Sequence, residues 1–83
     1  MDLDIIKKVL LSDMQGRSKL VMCMLYSCAE NNIATCEMSW LQGATSYGPS
    51  ALTKRLRWME QSGYIAKRAA PEGSLSYELL WNG

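Results

Sequence analysis

The sequence has no histidine. That excludes imidazole as a general acid or base, the Ser-His-Asp and Cys-His nucleophile pairs, and His-ligated zinc. Cysteine is scarce: Cys23, Cys28 and Cys36 are an odd number, so a closed disulfide framework would leave one thiol over. There is no C-x-x-C pair and no fourth soft ligand, and none of the three sits beside a basic residue. They read as small apolar residues of a reducing compartment, with Thr35-Cys36 at an expected helix start the one feature favouring a reactive thiol. An excess of one charge is also missing. Nine Lys and Arg against eight Asp and Glu leave a net charge of +1, so bulk electrostatics does not announce a nucleic-acid partner. The longest mostly apolar run, Leu20 to Ala29, is too short to span a bilayer. The opening Met-Asp-Leu-Asp lacks the basic start of a signal peptide. Without an acid–base pair, a metal set or a phosphate loop, the expectation is a cytoplasmic protein that is no enzyme and takes no cofactor or metal.

What is present fits one small domain, 83 residues long against about 100–200 for a typical domain. A composition of 48% apolar and 20% charged residues is that of a globular chain. A domain this small buries only about 60% of its unfolded surface, so dimerisation would add stability. Asp2 or Asp4 can cap a first helix to about Leu11, apolar at Leu3, Ile6, Val9 and Leu10. Ser12 to Gly16 is a break. A second helix runs from Arg17 or Ser18 to about Asn31, with Leu20, Val21, Met24, Leu25 and Cys28 as its apolar stripe. Asn31-Asn32 ends it in left-handed backbone. Ile33-Ala34 is then a short link, and Thr35 caps a third helix that buries Met38 and Leu41 and stops at Gly43. Trp40, Trp58 and Trp81 read as core or interface anchors.

The helix from Pro49 to about Ser62 is the most informative segment. Proline suits its first position and Gly63 its C-terminal cap. Leu52, Leu56 and Met59 recur at helical spacing, which leaves Ser50, Lys54, Arg57 and Gln61 on the opposite side, with Arg55 and Trp58 on the flanks. Tyr64 to Ala69 and Leu75 to Leu79 read as strands joined by the Pro- and Gly-containing turn at Ala70 to Ser74. From Trp40 onward five basic residues (Lys54, Arg55, Arg57, Lys67, Arg68) face three acidic ones, whereas before it acidic residues lead. The positive excess thus sits on this helix and the hairpin after it. Two helices around a Gly-containing turn, the second basic on its free face, make a helix-turn-helix candidate. Lys and Arg there can donate to guanine O6 and N7.

The stretch Leu52-Thr53-Lys54-Arg55-Leu56-Arg57-Trp58-Met59-Glu60-Gln61-Ser62-Gly63-Tyr64-Ile65 resembles the recognition helix of winged helix-turn-helix regulators. The segment with Lys67-Arg68, Pro71-Glu72-Gly73 and Tyr77-Glu78-Leu79 is similar to their wing. The likeness is to MarR-like domains and small regulators of pilus operons, over about residues 33–80. It implies a mainly α fold with a small β-hairpin (α+β): a winged core at 17–83 and an added N-terminal helix within 1–16 as a possible dimer element. It further implies sequence-specific binding of double-stranded DNA by a homodimeric transcriptional regulator of bacterial, phage or plasmid origin. Helix 49–62 would enter the major groove with Ser50, Lys54 and Arg57, and Arg55 would sit over phosphates. Ser46 and Tyr47 would contact the backbone from the turn, while hairpin 64–80 would reach the flanking minor groove or its phosphates with Lys67, Arg68 and Ser74. Two alternatives keep the fold: a DNA-binding module of a replication, partition or recombination protein, and a winged helix that binds a protein partner.

Overall fold

The computed structural model describes residues 3–81. Among them the chain is a small α+β fold with four helices and one antiparallel sheet. The helices are α1 (Leu3–Leu11), α2 (Gly16–Ser27), α3 (Met38–Thr45) and α4 (Pro49–Gln61). The strands are β1 (Ala29–Glu30), β2 (Ile33–Glu37), β3 (Ile65–Arg68) and β4 (Ser74–Leu79), side by side in the order β1-β2-β4-β3. Asp2, one of the two expected caps of α1, lies outside the described residues.

The core closes where α2 meets the other elements. Along α2, Ser18, Val21, Met22 and Leu25 are fully buried, a helical stripe turned slightly from the expected one, since Leu20 is 37% exposed. The side chain of Ser18 enters this apolar layer with its hydroxyl unpartnered among the described residues. Val9 from α1, Leu41 from α3, Leu52 and Met59 from α4 and Ile65 from β3 complete the centre. Helix α1 therefore belongs to the core through Val9, with Ile5 and Ile6 packed against it, while Leu10 and Leu11 stay exposed.

Three local expectations give way, two of them to the sheet. Thr35 does not cap a helix; it lies in β2, paired with Ser76 of β4, and the two hydroxyls share a 2.9 Å hydrogen bond. Ile33 and Thr35 are β-branched and suit a strand. Pairing with β1 on one side and β4 on the other satisfies backbone that a helix start would leave open. Asn31 and Asn32 do adopt left-handed backbone, with φ of 53° and 65°, but not to end α2, which stops at Ser27. They are the two central residues of the β1–β2 hairpin, where tight turns require positive φ. Gly43 does not stop α3 either. Burial of Leu41 and Thr45, one turn apart on the same face, carries the helix across it. The turn between α3 and α4 is thus only Ser46 to Gly48, shorter than the residues from Gly43 on led us to expect.

Helix α4 forms as its sequence reads. Pro49 occupies the first turn, and Gly63 follows the cap residue with φ of 83°. The Gly63 amide donates to Glu60 at 3.2 Å and the Tyr64 amide to Met59 at 2.9 Å, so both orphan carbonyls are filled. Nothing lies within 4 Å of where a Cβ on Gly63 would stand. The cost of Gly63→Ala is therefore conformational alone, about 1–2 kcal/mol for a left-handed non-glycine residue, to be read from urea denaturation midpoints.

Candidate nucleic-acid interface

The buried stripe of α4, Leu52, Leu56 and Met59, clamps one side of the helix to the core. The opposite side then has to face solvent. Ser50, Thr53, Lys54, Arg57, Glu60 and Gln61 are all exposed. The first four form one continuous strip along a helix of about 20 Å. Among the described residues neither Lys54 nor Arg57 takes part in an ion pair. Thr53 was not among the residues singled out in the sequence, although its spacing from Ser50 and Arg57, three and four residues, placed it on their face.

The other expected site residues divide. Arg55 is half-buried and turns away from this strip, donating a hydrogen bond to the Gln15 side chain in the α1–α2 loop. Ser46 is exposed with φ of 62° and Tyr47 is half-buried against the core. The buried Thr45 hydroxyl sets that turn: it donates to the Leu41 carbonyl at 2.8 Å and accepts from the Tyr47 amide at 3.3 Å.

Lys67 and Arg68 are neighbours in β3 and so point to opposite faces of the sheet. Lys67 pairs with Tyr77 on the face that carries the core, whereas Arg68 pairs with Ser76 on the outer face. There the Arg68 guanidinium forms an ion pair with Glu78, its diagonal neighbour on β4. Lys67 is the hairpin cation on the α4 side. Ser74 is half-buried at the start of β4, where its amide donates to Pro71 at 3.0 Å.

Between α4 and the β3–β4 hairpin runs a cleft of about 510 Å³. Leu56, Leu75 and Met38 give it apolar walls, and Arg57, Glu60 and Lys67 bring charges of both signs. Burial, and then the Glu60 carboxylate, push the Tyr77 phenol up from its ordinary value, so Tyr77 stays neutral there. The hairpin is held against the helices by the Met38 amide at the start of α3, which donates to the Gly73 carbonyl at 3.1 Å. At the far end of α4, Trp58 and Trp81 flank the ring of Tyr64, with centroids at 5.6 and 6.4 Å, and Tyr26 donates to the Trp81 carbonyl. Trp58 and Trp81 are thus packing residues, whereas Trp40 on α3 is 44% exposed.

Among the described residues no three His, Cys, Asp or Glu side chains gather as metal ligands, and no helix is long and apolar enough to cross a membrane. No family model, curated protein or solved structure matches the chain.

Proposed function

We propose that this chain is a winged helix-turn-helix domain that binds double-stranded DNA, and that it works in the cytoplasm as a small transcriptional regulator. Its chief support is the strip of Ser50, Thr53, Lys54 and Arg57, polar, exposed and without internal ion pairs among the described residues, on a helix anchored by its other face. The element order adds to this. Helix α2, strand β2, helices α3 and α4 and the hairpin β3–β4 follow one another with β4 central between β2 and β3, the order expected of a winged helix; the short β1 is an addition at the edge. In this reading α4 lies in the major groove with Lys54 and Arg57 over base edges, Ser50 and Thr53 approach the backbone, and Lys67 reaches a flanking phosphate. Arg55 and Arg68, held by Gln15 and Glu78, contribute less. Two copies would read two half-sites, which compensates for so mild a charge excess. No catalytic chemistry belongs to this reading.

Fluorescence anisotropy on a labelled random-sequence duplex across a salt series tests it. Micromolar affinity whose logarithm falls linearly with log salt is expected, with a slope of about −0.9 per phosphate neutralised. Three phosphate contacts per copy would give a slope near −3 for a monomer and about twice that for a dimer. An absence of binding even at low salt overturns the proposal and favours a protein partner, for which the exposed Trp40, Leu10 and Leu11 are the residues to test.

A further inference from the structure

Two cysteines that stand eight residues apart in sequence are brought together by the β1–β2 hairpin. Ala29 pairs with Ala34, so Cys28, the cap residue of α2 just before that pair, and Cys36 near the end of β2 lie at the same open end of the hairpin. Both side chains are half-buried and packed against the core. The Cys28 thiol donates to the Leu25 carbonyl at 3.4 Å, which turns its sulfur back under the end of α2. The Cys36 thiol hydrogen-bonds to that same sulfur. Both are free thiols, and Cys23 is buried within α2.

We propose that Cys28 and Cys36 form a dithiol site that a low-molecular-weight disulfide oxidises to an intramolecular bridge, tying the C-terminus of α2 to β2. The exchange balances in two steps. The Cys28 thiolate attacks one sulfur of glutathione disulfide, forms a mixed disulfide and releases one glutathione thiolate. The Cys36 thiolate then attacks the Cys28 sulfur and expels the second. Two protein thiols are oxidised, one glutathione disulfide is reduced, and the two protons go to the released glutathione thiolates. Burial pushes both thiols up, Cys36 to about 12, while the hydrogen bond from Cys36 lowers Cys28 in turn. Cys28 is therefore the attacking sulfur and Cys36 the resolving one. The site stands on the hairpin alone and is independent of DNA binding.

The test is incubation of the full chain with glutathione disulfide, followed by alkylation and peptide mapping by mass spectrometry without reduction. The expected product carries a Cys28–Cys36 cross-link, retains no glutathione and leaves Cys23 alkylated. Cys36→Ser is expected to stop at a glutathione adduct on Cys28. Wild-type chain that retains glutathione on either residue, or that bridges Cys23, overturns the proposal. So do three free thiols under conditions that oxidise the urea-unfolded chain, a comparison that needs no variant to fold.

Discussion

Replacing Lys54 and Arg57 together by alanine is expected to weaken binding to a selected duplex by about 30-fold to 10⁴-fold, at about 1–3 kcal/mol for each base-reading side chain. Both side chains are exposed on α4 and neither is in an ion pair among the described residues. Their removal should therefore leave the melting temperature nearly unchanged, because surface substitutions of this kind stay within about 0.5 kcal/mol each. The two contributions separate by salt. If both residues neutralise phosphates, the slope of log affinity against log salt falls in magnitude by about 1.8 per copy. If they read bases, the slope holds and discrimination between sites collapses. Loss of affinity below threefold at unchanged stability would remove α4 as the reading helix.

The second large effect concerns the platform beneath that helix. Leu25 is fully buried in the last turn of α2, and α2 packs against α1, α3, α4 and β2. Leu25→Ala removes three carbons from a fully buried position on a helix packed by four other elements, and leaves a cavity. The expected cost is about 2–5 kcal/mol. At about 0.05–0.15 kcal/mol per residue, a chain of this length holds only about 4–12 kcal/mol in all, so this one change removes a large share of the margin. A urea titration followed by tryptophan fluorescence measures it. A loss below 1 kcal/mol would show that the core closes somewhere other than on this face of α2.

Legibility in the sequence followed whether local signals agreed. For α4, proline at the start, the spacing of Leu52, Leu56 and Met59, and glycine at the end all pointed to one helix, and its boundaries are where they indicate. Its exposed strip follows from the same wheel. At Thr35, local and distant demands conflict. A side-chain cap is worth about 1 kcal/mol, while pairing along β2 involves the whole strand with β4, some 40 residues away. No local pattern in Ile33 to Glu37 records that partner. The doublet of asparagines signalled left-handed backbone correctly but not its use, because a helix cap and a hairpin turn require the same φ. Lys67 and Arg68 carry a different lesson: as strand neighbours they had to diverge, and reading them as a pair overlooked the twofold period.

The sheet ends in two unlike edges. On one side β1 is only two residues long and covers part of β2; on the other, β3 presents Lys67 and Arg68. Shortness and charge are two ways in which proteins keep an open strand from templating another chain. Growth of this sheet into a fibril, or addition of a partner's strand, is discouraged at both ends. Were copies to associate, the helices would be left as the open surface, and Leu10 and Leu11 are exposed there at the end of α1.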